Sequence, residues 1–339
     1  MPILDAEKLI IAFHKLSDYL AEPDLAFKNL IDSAQNNNSW FTPEEVQRAL
    51  TALRQMLNAT DLQAWFKDIH VADEPKKVGL ILAGNIPLVG FHDVLSVLAT
   101  GNTALIKLSS SDDKLLPMVL DKLVDIEPLL KDRIVYIERL KDFDAVIATG
   151  SNNTSRYFEY YFSKVPNIIR KNRSSVAVLT GEETTEEIAA LGHDIFDYFG
   201  LGCRNVSKLY IPQDYDIKHF FEPIESFKGI INHFKYNNNY DYNKSIYLVN
   251  MAQHYDNGFL LLKEDTAMSS PLAVLYFERY SDLNEVTDAL KKEEEKNQCI
   301  VSKASLQLET GTVDFGKGQY PRLWDYADNV NTIEFLNSL

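Results

Sequence analysis

Along roughly the first 70 residues, apolar side chains recur every three or four positions. Phe13 and Leu16 would lie on one face of a helix, and a second amphipathic run follows at 43–66. Thr42 is a favourable N-cap, and Pro43 suits the first position of a helix. The pattern therefore predicts an N-terminal helical segment in which one helix begins at Pro43.

From residue 78 the pattern changes to short apolar runs that alternate with longer runs of helical spacing. The strand-like runs lie at 78–83, 104–107, 134–137 and 145–148, and the helical runs lie at 89–98, 115–126 and 155–162. A second alternation has strand-like runs at 175–179, 206–211, 245–249 and 272–277, with a helix at 185–199. The polar stretch 235–243 predicts an exposed loop. Strand–helix alternation of this kind predicts two α/β lobes with parallel sheets, joined near 165–174.

Charge and cysteine content narrow the class of protein. The 339 residues, enough for about two domains, carry 34 Lys and Arg against 49 Asp and Glu, a formal net charge of −15. That charge repels nucleic-acid phosphates and anionic lipids, so neither is an expected partner. Two cysteines, Cys203 and Cys299, are too few for a disulfide scaffold and favour a cytoplasmic protein. The N-terminus lacks a signal-peptide pattern, and polar residues interrupt the most apolar stretch, 78–99, so no membrane span is expected.

Several common catalytic signatures are missing from the sequence. It has no P-loop, no strand followed by G-x-G-x-x-G, and no HExxH, CxxC or G-x-S-x-G motif. The seven histidines are too widely spaced to indicate a zinc site, so no metal is expected.

Three short stretches place polar or reactive residues where a plain hydrophobic core would not. They are 84–87, where Asn85 closes an apolar strand, 101–107, which ends on Lys107, and 200–208, where Cys203 follows two glycines. Each has an ordinary structural explanation as well. Asn85 would serve as a helix cap or turn residue, Cys203 as an inert buried thiol, and Lys107 as the solvated end of a strand. Taken singly, these residues leave both interpretations open.

Taken together and in order, the stretches resemble the motifs of the aldehyde dehydrogenase superfamily. That superfamily carries P-W-N-[FY]-P, A-A-G-N-[TA]-V-V-x-K-P, [FT]-T-G-S and G-Q-x-C, and the corresponding stretches here are 84–87, 99–107, 148–151 and 202–203. The short chain and its departures from those motifs are most similar to the acyl-CoA reductases of the bioluminescence fatty-acid reductase type (LuxC-like). The resemblance implies an aldehyde-dehydrogenase-like α/β fold. Its expected parts are N-terminal helices with a Rossmann-type cofactor domain at 1–170, a catalytic thiol domain at 171–310 and a C-terminal return segment at 311–339.

The resemblance also implies a mechanism in which Cys203 is a nucleophile that forms an acyl-enzyme. The Asn85 side chain and the Cys203 backbone N–H would donate hydrogen bonds to the oxyanion. Arg204 would either lower the pKa of the thiol or point to solvent. The general-base glutamate of ordinary aldehyde dehydrogenases has no counterpart in 169–175, and the ribose-binding glutamate has none in 266–271. Without a base to activate water, reduction of an acyl-CoA is favoured over oxidation of an aldehyde.

For the cofactor, the resemblance implies NADPH. Lys107 would reach the adenosine ribose or its 2′-phosphate, and Ser110 stands where relatives that prefer NAD have a glutamate. Thr149, Gly150 and Ser151 would lie against the pyrophosphate at a helix N-terminus. A plain strand–helix turn is the alternative for Gly150 and Ser151.

Three further features carry weaker hypotheses. Arg170, Lys171 and Arg173 form a tight basic cluster that would either bind a phosphate of NADPH or CoA or form a solvated linker face. His193, ten residues before Cys203, is either a proton shuttle or a structural histidine. The stretch 315–320 resembles the late glycine-rich loop of the superfamily.

The sequence thus predicts an NADPH-dependent reductase that converts a long or medium acyl-CoA to its aldehyde through a Cys203 acyl-enzyme. A partner enzyme that hands over the acyl group, and assembly into a homo-oligomer, both stay open. One alternative is an aldehyde dehydrogenase that works oxidatively, with CoA or water as acceptor. Another is a catalytically silent nucleotide-binding relative, against which the retained Asn85 and Cys203 argue.

Overall fold

The computed structural model describes residues 4–308 and 311–339, which divide into two compact units. The first unit comprises Met1–Asn172 and Tyr320–Leu339, and the second comprises Arg173–Gln319. The sequence places the boundaries at 170/171 and 310/311, and the second of these touches residues 309–310, outside the described residues. Residues 1–3, part of the stretch that argues against a signal peptide, lie outside them as well.

The N-terminal segment is helical, as its apolar spacing predicts. Its helices are α1 (Ala6–Ala21), α2 (Leu25–Ser33), α3 (Pro43–Met56) and α4 (Ala59–Trp65). Phe13 and Leu16 of α1 are buried. The prediction for the start of α3 is confirmed: Pro43 is its first residue, and the Thr42 side chain accepts a hydrogen bond from the Glu45 backbone N–H at 3.4 Å.

The first unit is built on a parallel sheet with the strand order β3-β2-β1-β4-β5. Its strands are β1 (Lys77–Ile81), β2 (Thr103–Lys107), β3 (Ile134–Tyr136), β4 (Ala145–Thr149) and β5 (Asn167–Arg170). The intervening helices are α5 (Phe91–Ala99), α6 (Leu115–Ile126) and α7 (Asn152–Phe162). This is the strand order of a Rossmann-type nucleotide-binding sheet, so the expected fold of this unit is confirmed.

The second unit holds a mixed sheet with the strand order β11-β6-β7-β10-β9-β8. Its strands are β6 (Ser174–Val178), β7 (Val206–Pro212), β8 (Tyr255–Asp256), β9 (Leu261–Glu264), β10 (Val274–Tyr280) and β11 (Asn297–Val301). The helices are α8 (Thr185–Phe196), α9 (Lys218–Phe221), α10 (Phe234–Val249) and α11 (Leu283–Lys292). Only the β8–β9 pairing in this sheet is antiparallel within the described part of the chain.

Two predictions for the second unit are wrong. The stretch 235–243 is not a loop and 245–249 is not a strand, because both belong to α10. The buried face of this helix consists of tyrosines and one asparagine at helical spacing, namely Tyr236, Tyr240, Asn243 and Tyr247. The asparagine side chains are accommodated along the helix, since Asn239 and Asn243 each donate to the carbonyl four residues earlier. A pattern search for aliphatic residues misses such a face.

The C-terminal segment returns to the first unit and ends in α12 (Thr332–Asn337). Thr332 and Ile333 of this helix are buried. Among the described residues, no helix combines the length and the apolar character needed to cross a membrane.

Candidate functional site

The first unit collects its predicted site residues at the carboxyl edge of its parallel sheet. Asn85 follows β1, Lys107 ends β2 and Ser110 follows it, and Thr149–Ser151 end β4 and follow it. We call 84–88, 107–112 and 149–151 the strand-end loops. The order in which strands are added reverses between β1 and β4, because β2 and β3 extend the sheet on one side of β1 and β4 and β5 extend it on the other. Ligands of open α/β sheets bind at such a switch point.

The loop after β1 is packed closely on the loop after β2. A Cβ atom on Gly84 would lie 2.5 Å from the Ser109 Oγ and 2.7 Å from the Ser109 Cβ, so any larger residue at position 84 would displace Ser109. Leu88, in the left-handed region with φ +60°, donates its backbone N–H to the buried Asp112 carboxylate at 2.8 Å. Burial raises the pKa of Asp112. Asn85, in the same loop, is exposed.

The turn after β4 leads directly into a helix N-terminus. Ser151 is the N-cap of α7, and its Oγ accepts the Thr154 N–H at 3.3 Å. A Cβ atom on Gly150 would lie 2.9 Å from the Phe158 ring and 3.1 Å from the Thr154 Cβ, so the turn packs against its own helix. Gly150 and Ser151 therefore do form the strand–helix turn. The same turn places the N-terminal N–H groups of α7 at the edge of the sheet, where a bound anion is favoured.

The basic cluster at 170–173 is not a single surface, and both interpretations offered for it are wrong for Arg170. Its Nη1 lies 2.7 Å from Asp93 Oδ1, and its Nη2 donates to Thr332 Oγ1 at 3.0 Å, with both charged side chains buried. This residue joins β5, α5 and α12 inside the first unit and faces neither a phosphate nor solvent. Lys171 pairs with Glu159 on the surface, at 2.7 Å.

In the second unit, Cys203 lies in the turn between α8 and β7. It is exposed, whereas Cys299 is buried in β11. The interpretation of Cys203 as a buried thiol is therefore wrong. We call residues 198–205 the thiol turn.

The thiol turn has an unusual backbone. Tyr198, Phe199 and Gly200 all have positive φ angles of +54°, +57° and +78°, so the predicted helix at 185–199 ends at Phe196 instead. Non-glycine residues rarely adopt this conformation unless surrounding contacts enforce it. The Ser175 Oγ donates to the Cys203 carbonyl at 2.9 Å and contributes one such contact.

The late glycine-rich loop is anchored beside the thiol turn by a residue that the sequence did not single out. The buried Asp194 carboxylate accepts the backbone N–H groups of Gly316 at 2.6 Å and Gly318 at 2.8 Å. Burial raises the pKa of Asp194 to about 7 despite these two hydrogen bonds. Arg204, half-buried, reaches the same loop, with its Nη1 3.4 Å from the Gly318 carbonyl.

His193 carries its own acidic partner. Its Nδ1 lies 3.0 Å from Asp197 Oδ1, and its ring meets the Phe227 ring edge-on with centroids 5.0 Å apart. The side chain is 48% exposed.

The stretch 266–271, which lacks the ribose-binding glutamate, is held in place by side chains that donate hydrogen bonds to its backbone carbonyl groups. The buried Lys208 donates to the Thr266 carbonyl at 2.9 Å, and Ser207 donates to the Met268 carbonyl at 2.9 Å. Asp265, the residue just before this stretch, forms an ion pair with Lys263. The hydrogen bond from Lys263 lowers the pKa of Asp265.

Comparison with known proteins agrees with this picture. The family model described as acyl-CoA reductase (LuxC) matches residues 28–222, a stretch that contains every predicted catalytic and cofactor residue. Two long-chain acyl-protein thioester reductases are similar: one from Aliivibrio fischeri at 26% identity and one, designated 2, from Photobacterium leiognathi at 24%. Each match covers 42% of this chain and 33% of the relative, so it spans about a third of those proteins.

Solved aldehyde dehydrogenases share the fold. That of Physcomitrella patens, in complex with the product succinate, is 13% identical with a TM-score of 0.66 over 98% of this chain and 85% of its own. That of Mycobacterium tuberculosis, complexed with NAD+, is 14% identical with a TM-score of 0.61 over 93% and 75%. The fold is therefore aldehyde-dehydrogenase-like, and the family model spans more than half of the chain. The chain belongs to the acyl-CoA reductase (LuxC) family.

Proposed function

We propose that this chain reduces a fatty acyl-CoA to its aldehyde with NADPH, through an acyl group carried on Cys203. The observation that carries the proposal is the exposed thiol of Cys203, held in a turn of constrained backbone conformation in a chain of this family. The Cys203 thiolate attacks the acyl carbonyl carbon, the bond from that carbon to the CoA sulfur breaks, and CoA leaves with a proton. The acyl group is then a thioester of Cys203.

Two donors are proposed to stabilise the oxyanion that forms during this attack. One is the backbone N–H of Cys203, and the other, carried over from the superfamily resemblance, is the side-chain amide of the exposed Asn85. Loss of one such donor typically raises the barrier by about 2.7–4 kcal/mol.

The absence of a general base supports reduction rather than hydrolysis of the Cys203 thioester. The stretch 169–175, where ordinary aldehyde dehydrogenases have a glutamate, holds no carboxylate. Its one buried cation, Arg170, is engaged by Asp93. We infer that the thioester survives long enough to be reduced because no side chain of this stretch activates water.

The first unit supports the proposal of a nicotinamide dinucleotide. Its parallel sheet has the dinucleotide-binding strand order, and the strand-end loops meet the N-terminus of α7 at the switch point. Thr149, Gly150 and Ser151 would hold the pyrophosphate, while the exposed Lys107 and Ser110 would hold the 2′-phosphate. When bound, NADPH would supply the hydride for the thioester carbon. The bond from that carbon to the Cys203 sulfur then breaks, which releases the aldehyde and regenerates the Cys203 thiol.

The chemistry fits a second kind of acyl donor. The similar curated proteins are named long-chain acyl-protein thioester reductases, so a protein-bound thioester is the alternative to acyl-CoA. A partner enzyme that delivers the acyl group remains part of the proposal. Both donors present the same carbonyl carbon to Cys203 and differ only in the thiol that leaves.

The proposal is tested by following NADPH oxidation and aldehyde formation with acyl-CoA of several chain lengths and with an acyl-carrier protein thioester. One aldehyde per NADPH is expected, with NADH slower than NADPH. Cys299→Ala serves as the matched control, because that buried cysteine is not expected to affect the reaction. Rapid NADP+-dependent oxidation of an aldehyde without reduction of either thioester would establish the oxidative alternative. Binding of NADPH without any acyl transfer to Cys203 would establish the silent relative.

A further inference from the structure

One buried side chain, that of Asn205 at the end of the thiol turn, bonds both the end of α8 before the turn and Gly202 within it. Its Nδ2 donates to the carbonyls of Asp197 at 2.8 Å and Asp194 at 3.1 Å. These carbonyls belong to the end of α8, where helical carbonyls have no partner within the helix. Asn205 therefore caps the C-terminus of α8 although it lies at the far end of the thiol turn.

Asn205 also forms hydrogen bonds with both the N–H and the carbonyl of Gly202, the glycine that precedes Cys203. The Asn205 Oδ1 accepts the Gly202 N–H at 2.8 Å, and the Asn205 backbone N–H donates to the Gly202 carbonyl at 3.1 Å. Gly202 to Asn205 thus form a hydrogen-bonded turn with Cys203 at its second position.

The backbone N–H of Asn205 fixes the Gly202 carbonyl and with it the Cys203 N–H, and the Asn205 side chain supports this turn by holding the adjoining Gly202 N–H. The Gly202 carbonyl and the Cys203 N–H belong to one planar peptide unit and point in opposite directions, so an orientation imposed on one is imposed on the other. The Ser175 bond to the Cys203 carbonyl fixes the next peptide. Cys203 consequently lies between two peptide planes that side-chain or turn hydrogen bonds hold in place.

The turn needs such support because of its backbone. The left-handed residues Tyr198, Phe199 and Gly200 lie between the end of α8 and the thiol, and this conformation persists only where surrounding contacts enforce it. Asn205 spans these three residues, from the α8 carbonyls on one side to Gly202 on the other. Removing its side chain would leave buried carbonyls of α8 and the Gly202 N–H without that partner.

We propose that Asn205 is a positioning residue that orients the Cys203 thiol and its backbone N–H. The inference rests on the proposed function in one respect, that Cys203 is the nucleophile. Asn205 touches no substrate in this account and acts through the conformation of the turn.

The test compares two substitutions in a Cys299→Ala background, so that Cys203 is the sole cysteine. Asn205→Ala removes the proposed positioning group. Asn243→Ala is the matched control, because Asn243 is equally a buried asparagine whose Nδ2 donates to two backbone carbonyls, Asn239 and Leu272 at 2.9 Å each, but it lies on α10. Thermal melting of both variants measures the shared structural cost.

Three rates are measured on each protein: amide hydrogen exchange of 198–205, alkylation of Cys203 by iodoacetamide, and acylation of Cys203 by acyl-CoA. Alkylation needs an accessible thiolate, whereas acylation also needs an oriented oxyanion donor. For Asn205→Ala we expect exchange in the turn to rise at least about tenfold and acylation to fall about 30-fold, with alkylation within about threefold. For Asn243→Ala we expect all three rates to stay within about twofold at a comparable loss of melting temperature.

The proposal is overturned if Asn205→Ala leaves exchange in the turn unchanged, or if acylation falls no further than in Asn243→Ala. A parent protein that is alkylated at Cys203 but accepts no acyl group would refute the proposed function instead. In that case the exchange measurement decides alone: faster exchange confined to the turn supports the role of Asn205, and unchanged exchange refutes it.

Discussion

The strand-end loops of the first unit and the thiol turn of the second unit are built in opposite ways. In the first unit, Asn85, Lys107 and Ser110 are exposed, and the parallel sheet beneath them sets their positions. In the second unit, buried polar side chains hold the turn that carries the exposed Cys203, because Ser175 donates to the Cys203 carbonyl and Asn205 donates to carbonyls at the end of α8. The strand order brings the proposed cofactor-binding residues to one edge of the sheet, whereas the backbone around the proposed nucleophile depends on hydrogen bonds from Ser175 and Asn205.

The largest expected effect concerns the interior of the first unit. Arg170→Ala leaves Asp93 as an uncompensated buried carboxylate and is expected to lower the free energy of unfolding of that unit by about 3–5 kcal/mol. Urea denaturation measures this loss, and Lys171→Ala, at a surface ion pair, should change it by less than about 1 kcal/mol.

An apolar replacement sharpens this prediction. Combining Arg170→Met with Asp93→Leu should recover most of the stability, because buried ion pairs are often replaceable by packed apolar side chains. If the Arg170→Ala protein instead kept its stability and lost affinity for NADPH, Arg170 would contribute to the proposed cofactor site and not to the interior of the first unit.

The next effect concerns Asn85 of the strand-end loops. Asn85→Ala is expected to slow acylation of Cys203 by about 2.7–4 kcal/mol of barrier, roughly a hundredfold to a thousandfold, because it removes a proposed oxyanion donor. Its melting temperature should match that of the parent, since the side chain is exposed. Rapid-quench acylation kinetics measure the change, with the exposed Asn29→Ala on α2 as control. Unchanged acylation in the Asn85 variant would remove it from the mechanism.

A smaller effect is expected from Asp194 beside the thiol turn. Its folded pKa of about 7 lies above the ordinary value of 3.8, so the folded state binds this proton more tightly than the unfolded state. The contribution of Asp194 to stability is thus complete below about pH 4 and is lost as the pH rises toward about 7. Relative to Asp194→Asn, the parent should lose about 2 kcal/mol over that range.

Chemical denaturation at several pH values between 4 and 7 measures that difference. The exposed Asp214→Asn serves as control and should give a curve parallel to that of the parent. A parent protein that gains stability relative to Asp194→Asn as the pH rises would show that the two glycine N–H groups outweigh burial.

The smallest expected effect concerns cofactor choice. Ser110→Glu would place a carboxylate where the 2′-phosphate is proposed to lie, and the affinity for NADPH should fall about 10- to 30-fold, roughly 1.4–2 kcal/mol. The affinity for NADH should stay within about threefold. Fluorescence titration measures both, with Ser163→Glu at the far end of α7 as control. Equal weakening of both nucleotides would place Ser110 away from the 2′ position.

The sequence alone predicts some parts of the fold and misses others, and the reason lies in the range of the interactions that form them. The strands β1–β4, β6, β7 and β10 and the helices α5–α8 were predictable because aliphatic residues recur with the spacing of buried strands and helices, and Thr42–Pro43 marks a helix start by local chemistry. The helix α10 was not, because tyrosines and asparagines form its buried face. A local pattern search also cannot detect that Arg170 pairs with Asp93, 77 residues away, or that Asp194 binds glycines more than 120 residues later.

The site divides likewise. The strand-end positions of Asn85, Lys107, Ser110 and Thr149–Ser151 were predictable from the strand pattern, whereas their proposed roles came from the resemblance. Cys203 was identified by its glycine context and by resemblance. Asn205 and Asp194, which hold the thiol turn and the loop beside it, carry no local signal, since their partners are backbone groups brought near by folding.

The proposed mechanism requires that Cys203 carry the acyl group, and one measurement tests this most directly. The protein is incubated with radiolabelled acyl-CoA in the absence of NADPH, digested, and the labelled peptide identified by mass spectrometry. The account predicts about one acyl group per chain, on Cys203, with none in Cys203→Ala and full labelling in Cys299→Ala. Labelling of the Cys203→Ala protein to the same extent as the parent would contradict it.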